Sequence, residues 1–254
     1  MEQKKAKYGW YHINVMFFLG FLGIIGLGAI ILSFLFEGVL SIILMLSGII
    51  VILIFLWPAI GLLALNLYSG NLFVLESKIP VIEEFKAPKI LDVGCGTGRI
   101  SINLAKNLKN GATITGIDIY DEKAITGNSL ETIQKNAKIE GVSDKTHFQY
   151  GSATNIPFED NTFDIVNISF VMHEFSRNNS QDIAMREIYR VLKPNGYFLL
   201  GELTRSSWQM LLISGVFVLN YKKQQYWTQL LEKHGFKEIS YDDNGGFGIF
   251  QAKK

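Results

Sequence analysis

A chain of 254 residues has room for one large domain or two small ones. Its formal net charge is +1, and 21 basic residues face 21 acidic ones after residue 75, so no broad basic face is available for nucleic acid. A single cysteine, Cys95, excludes an intrachain disulfide and fits a reducing compartment.

Hydrophobic residues make up 48 % of the chain, and their excess lies before residue 70. Ile13–Phe36 is an uncharged run of 24 residues. As a helix it reaches about 36 Å, enough for a hydrocarbon core of about 30 Å. Val39–Leu65 is a second uncharged run, and only Glu37 and Gly38 separate the two. Helices satisfy their own backbone groups, so an antiparallel transmembrane hairpin is expected over residues 1–75. A cleaved signal peptide is the competing reading, but its apolar core is typically about 7–15 residues and no small-residue cleavage site precedes the second run. Lys4, Lys5 and Lys7 lie before the first helix, Lys78, Lys86 and Lys89 after the second, and the turn has no basic residue. The positive-inside tendency places both termini in the cytosol. Tyr8, Trp10, Tyr11, Trp57 and Tyr68 are then expected near the cytosolic interface, and Pro58 bends the second helix or marks its exit. Gly20, Gly23 and Gly26 form a smooth stripe, expected to pack on the second helix near Ser47 and Gly48 or, as the lesser alternative, to support a homodimer.

Residues 76–254 read as a separate α/β domain reached through a linker at Glu76–Pro88. Strands are expected at Lys89–Val93, Thr113–Ile119, His147–Tyr150, Phe163–Ser169 and Tyr197–Glu202, with helices at Arg99–Leu108, Ser129–Glu140, Ser180–Leu192 and Gln224–His234. Two late strands, around Phe236–Tyr241 and Phe247–Ala252, have no helix between them. The alternation predicts a Rossmann-like, mostly parallel sheet with helices on both faces and an antiparallel hairpin at one edge. Ligands in such sheets bind beyond the carboxyl ends of the strands.

The first strand runs into Asp92-Val93-Gly94-Cys95-Gly96-Thr97-Gly98, a glycine loop that opens a helix. Its spacing differs from the dinucleotide G-x-G-x-x-G, and the phosphate-binding G-x-x-x-x-G-K-[ST] is absent. Asp118 follows the second strand, where a carboxylate accepts the hydroxyls of a ribose, or simply caps a turn.

These features together resemble the class I S-adenosylmethionine-dependent methyltransferases over about residues 86–204. The resemblance rests on Asp92 to Gly98, Asp118, Gly151-Ser152-Ala153, Ile156-Pro157-Phe158, Phe163-Asp164-Ile165-Val166 and Leu192-Lys193-Pro194-Asn195-Gly196. It implies S-adenosylmethionine as cofactor. The glycine loop (Asp92, Gly94, Cys95, Gly96, Gly98) would surround the methionine part, Asp118 with Ile119 the ribose, Ser152 and Ala153 the adenine, and Ser169 the end of strand four. Ser152 stands where the family usually has aspartate, which predicts weaker cofactor binding or compensation from Thr154 or Asn155.

Methyl transfer needs a base only when the acceptor loses a proton. His173, after strand four, is the candidate base, with capping or packing as its structural alternative. Glu174 is expected to orient His173 or face water, and Cys95 to pack. His12, His147 and His234 are dispersed, and no Cys/His spacing suggests zinc or another metal site. Ser207–Asn220 is strongly apolar but short for a span, so it reads as a substrate-side lid, an interfacial segment or a core helix. The favoured function is methyl transfer at the cytosolic membrane face to a small, lipophilic acceptor, with membrane lipids as surroundings. A non-enzymatic S-adenosylmethionine-binding regulator and a nicotinamide dehydrogenase are the alternatives, and the glycine spacing argues against the last.

Overall fold

The structure is a computed structural model that describes residues 5–72, 82, 84–108, 111–175 and 179–254. Lys4, Lys78, the Tyr68 side chain and most of the expected linker lie outside the described residues, as does the expected boundary at residues 75/76.

Two apolar helices open the chain. Helix α1 (Ile13–Ser33) turns back into α2 (Gly38–Val51), which continues through a π-helical turn (Ile52–Leu56) into α3 (Trp57–Leu72). Both rods are long and apolar enough to cross a membrane. Pro58 neither ends nor exits the second rod. A proline lacks the N–H and crowds the carbonyl of the preceding turn. The π turn just before it widens the helix there, so the rod runs on. The glycine stripe is used within the chain. A Cβ on Gly26 would lie 2.8 Å from Gly48 O, and one on Gly23 2.4 Å from Leu56 Cβ. The second rod therefore covers the face that a homodimer through these glycines would need.

The α/β part is a seven-stranded sheet ordered β3-β2-β1-β4-β5-β7-β6. Its strands are β1 (Lys89–Val93), β2 (Thr113–Asp118), β3 (Thr146–Tyr150), β4 (Phe163–Ser169), β5 (Leu192–Leu203), β6 (Lys237–Asn244) and β7 (Phe247–Lys253). The first five are parallel, and β7 joins β5 and β6 antiparallel. Strand β5 begins earlier than expected because the Lys-Pro-Asn-Gly turn pairs Leu192 with Phe163 across a register shift.

The strands alternate faces, as extended backbone requires. Leu91, Val166 and Phe198 enter one core with α6 (Ser180–Val191) and α8 (Gln224–Lys233). Ile90, Ile165 and Leu199 enter the other with α4 (Arg99–Asn107) and α5 (Leu130–Ile139). Ser129 starts α5 by accepting from Thr132 N at 3.1 Å. The order reverses between β1 and β4, which opens the crevice in which such sheets bind ligands.

Two contacts join the apolar rods to this domain. The apolar Ser207–Asn220 stretch forms α7 (Trp208–Ser214) and a 3-10 turn (Gly215–Asn220) against the second rod. Trp57 Nε1 donates to Leu212 O at 2.6 Å, and Gly61 lies so close that a Cβ would sit 1.7 Å from Ile213 O. Residues 5–12 pack on the domain. Tyr8 joins the core beside α5, and the Arg99 guanidinium lies 5.2 Å over the Tyr8 ring and 5.8 Å over that of Tyr11. A division at residues 75/76 thus separates these N-terminal residues from the domain they contact.

Gly61→Ala should force the second rod and α7 apart, lowering stability by about 1–3 kcal/mol, as overpacking does. Gly28→Ala, whose Cβ would meet nothing within 4 Å, should leave the thermal midpoint unchanged. Equal midpoints for both variants would remove the close contact as a determinant.

Candidate active site

A cavity of about 210 Å³ occupies the crevice at the carboxyl ends of β1 and β4. Its floor is the glycine loop. Gly94 N and Cys95 N both donate to Ile117 O, at 2.7 and 3.1 Å, which fixes the loop to β2. Gly94 and Gly96 have φ of 75° and 54°, a region side chains disfavour. At Gly94 a Cβ would also meet Val171 at 2.3 Å.

Asp92 lies buried beneath the loop, accepting from Asn167 Nδ2 at 2.7 Å and from Ser101 Oγ. Burial raises its carboxyl above the usual range, against these hydrogen bonds. Asp118 accepts from Gly96 N at 2.8 Å and Tyr120 N at 2.5 Å, so it shapes both the loop and its own turn. Asn128 Nδ2 reaches Asp118 at 3.3 Å, while the buried Asn128 Oδ1 has no partner. Burial pushes the Cys95 thiol well up, so it packs as a neutral group.

Of the ten expected cofactor contacts, Asp92, Gly94, Cys95, Gly96, Asp118, Ile119, Ser152, Ala153 and Ser169 all line the cavity. Gly98 is not among the lining residues. It starts α4 with φ 91°, and a Cβ there would strike Ile102 and Ile133 at 2.7 Å, so its place is one of packing. Ser152 is already engaged: its hydroxyl pairs with Thr154 Oγ1 at 2.9 Å and accepts from Thr154 N at 3.2 Å.

His173 sits on the 3-10 turn Met172–Glu174 after β4, outside the cavity lining. Its Nδ1 lies 2.9 Å from Glu202 Oε2, and its Nε2 3.3 Å from Glu174 Oε1. Burial alone would lower its pKa, but the two carboxylates outweigh burial and raise it to about 10. A protonated imidazole donates and does not accept, which argues against His173 as the base. Glu174 does line the cavity, and hydrogen bonds from His12 and His173 hold its carboxyl well below the usual range. His12 is therefore not dispersed: its Nε2 stands 3.3 Å from Glu174 Oε1 at the cavity wall, with Tyr11 beside it. Sequence reasoning missed Tyr11 and His12 because no local pattern connects them to strand four. His147 and His234 lie elsewhere, and no metal-holding cluster exists among the described residues.

A family profile described as a methyltransferase domain matches residues 91–200. A demethylmenaquinone methyltransferase of Lactiplantibacillus plantarum is 33 % identical over 152 residues, 60 % of either chain. One from Staphylococcus aureus is 38 % identical over 113 residues, 44 % of this chain and 41 % of that one. A sterol 4-C-methyltransferase of Caenorhabditis elegans is 33 % identical over 117 residues, 46 % of this chain and 31 % of that one. The matches thus span between about a third and three fifths of these relatives. A solved S-adenosylmethionine-dependent methyltransferase of Methanosarcina mazei shares the fold, with TM-score 0.56 and 22 % identity over 70 % of this chain and 98 % of that one.

The fold and the glycine-loop crevice are those of a Rossmann-like methyltransferase domain. Over residues 91–200 the chain is similar to the class I S-adenosylmethionine-dependent methyltransferases, and its sheet has their fold. S-adenosylmethionine is the cofactor of that class, and the lining fits it: the carboxylates of Asp92 and Asp118, the loop glycines Gly94 and Gly96 and the unpaired buried amide oxygen of Asn128 meet at one crevice.

Ser152→Asp should tighten S-adenosylhomocysteine binding roughly threefold to tenfold by calorimetry, because a charged acceptor makes the stronger hydrogen bond. Unchanged affinity would show that the Ser152–Thr154 pair already suffices. A second outcome concerns pH. His173 carries a folded-state pKa raised to about 10, so its contribution to stability is complete below about 6.5 and is lost as pH rises through about 10. Denaturant titrations of wild type and His173→Gln should therefore converge toward pH 10. A constant gap would exclude the ion pair with Glu202 as its source.

Proposed function

We propose that this protein transfers a methyl group from S-adenosylmethionine to a small, lipophilic acceptor at the cytosolic face of a membrane, with the apolar hairpin as its anchor. The observation that carries this reading is Phe170. It lines the cavity and also packs in an apolar cluster with Leu65 of the second rod and Ile213 of α7. The wall of the cofactor crevice is thus continuous with the apolar rods. Trp208, Leu211, Leu212, Val216 and Leu219 expose further apolar surface on α7 and the turn after it. Exposed apolar surface of this kind suits lipid or a lipophilic ligand. The names of two relatives point the same way, being those of enzymes acting on demethylmenaquinone and on a sterol. The lysines flanking the rods support a cytosolic site.

The bound cofactor would supply a methyl group already activated on a sulfonium. The residues of this chain would then bind and orient. Asp92 and the backbone of Gly94 to Gly96 would hold the methionine part, Asp118 and Asn128 the ribose, and Ser152 with Ala153 the adenine. Ser169 and Phe170, at the end of β4, would face the methyl side.

Incubating the full chain with methyl-labelled S-adenosylmethionine and a membrane lipid extract should yield a labelled lipid and S-adenosylhomocysteine. Cofactor binding without any labelled product would favour the regulatory alternative. Joint replacement of Leu212 and Phe217 by serine should raise KM for the lipophilic acceptor roughly tenfold or more, since each buried CH₂ is worth about 0.8 kcal/mol. Equal losses with a water-soluble acceptor would detach α7 from acceptor entry.

A further inference from the structure

The titratable side chains after strand four are already engaged with carboxylates and imidazoles. His173 is held as an imidazolium between Glu202 and Glu174. Glu174 is held as a carboxylate of low basicity by His12 and His173. Asp92 lies below the loop on Ser101 and Asn167, and Asp118 is taken by the Gly96 and Tyr120 amides. Cys95 is buried and neutral. One further lining side chain is of a type that exchanges protons near neutrality, and it comes from before the first apolar helix: His12.

Its placement is enforced. His12 N donates to Ala124 O at 2.9 Å, and Trp10 O accepts from Thr126 N at 3.0 Å. Thr97 Oγ1 of the glycine loop donates to Tyr8 O at 2.7 Å. Asn136 Nδ2 donates to Lys7 O at 2.8 Å, and Lys7 N donates to Asn136 Oδ1 at 2.9 Å. From the other side, Asn66 of the second rod accepts from Tyr11 N at 2.7 Å and donates to Tyr11 O at 3.1 Å. Between these ties His12 adopts φ 48°, ψ 40°, a left-handed conformation that a side-chain-bearing residue takes only under constraint. Its Nε2 points to Glu174. A carboxylate there fixes the tautomer that carries the proton on Nε2 and leaves Nδ1 as the acceptor.

We propose that His12 is the general base of this active site, and that the acceptor is therefore one that loses a proton, such as a hydroxyl or an acidic carbon. This inference rests on the methyltransferase reading above. The acceptor would give its proton to Nδ1 of His12 and use the freed electron pair to bond the methyl carbon that the bound cofactor would supply, with the C–S bond breaking to leave a neutral thioether. The segment Lys5–His12 is then part of the active site and not merely a leader to the hairpin.

The test uses the full chain in lipid nanodiscs, methyl-labelled S-adenosylmethionine and the membrane lipid extract. His12→Asn keeps a residue that tolerates the left-handed conformation and can still donate to Glu174, but it cannot take the proton. Its turnover should fall by about a hundredfold or more, while calorimetric S-adenosylhomocysteine affinity and thermal midpoint stay within threefold and a few degrees of wild type. His12→Gly, which the positive φ allows, should regain turnover when free imidazole is added. Turnover of His12→Asn within tenfold of wild type overturns the proposal. So does parallel loss of S-adenosylhomocysteine affinity, which marks a purely structural role, or absence of imidazole rescue. A wild-type chain that binds S-adenosylhomocysteine but methylates nothing overturns the methyltransferase reading itself, an outcome distinct from all of these.

Discussion

The rest of this structure depends on how the segment before the first apolar helix is tied to the glycine loop. Thr97 reaches Tyr8 O, Asn136 brackets Lys7, and His12 is bound to Ala124 before its own peptide enters α1. No slack remains between the last tie and the first turn of the helix. The apolar rods cannot therefore hang from a loose tether. Trp57 on Leu212 O and Asn66 on Tyr11 add two further attachments, both from the second rod. These ties set the angle between the sheet and whatever medium surrounds the rods.

The second constraint is electrostatic. Glu202 is fully buried at the end of β5. An ionised carboxylate at such a position is strongly unfavourable without a charged partner. His173 provides one, and Glu174 then faces both His173 and His12. The alternation of acid and imidazole runs from the core outward to the cavity wall. Each imidazole is held by a carboxylate, and only the outermost pair touches the cavity. His173 thereby serves the placement of Glu174, and Glu174 the placement of His12.

What was legible in the sequence was whatever local spacing encodes. The glycine loop, Asp118, the strand alternation and the two apolar runs depend on neighbours a few residues apart, and each stands where its pattern put it. Gly98 shows the limit of motif reading: it belongs to the signature, yet its missing side chain makes room for Ile102 and Ile133. The Tyr8, His12 and Trp57 contacts reach across the whole chain, and no periodicity reports a pairing 155 residues apart. Pro58 reads as a bend or an exit, and the helix instead runs on past it, with a π turn just before it. One signal for His173 was present: Glu202 interrupts the apolar strand Tyr197–Leu203, and a buried acid requires a cationic or hydrogen-bonding partner nearby.

The two constraints together bear on how an acceptor would arrive. Phe170 belongs at once to the cavity wall and to the cluster with Leu65 and Ile213. Tyr11 and His12 form another part of that wall and are held by the second rod through Asn66. Both the apolar wall and the imidazole thus depend on the hairpin, while the glycine loop and Asp118 depend on the sheet. On the proposed function, removing the hairpin would leave the sheet residues for the cofactor in place and dismantle the side that meets the acceptor. In that arrangement the anchor is part of acceptor recognition, because the same helices that would hold the protein in lipid also hold the wall against which a lipophilic acceptor would rest.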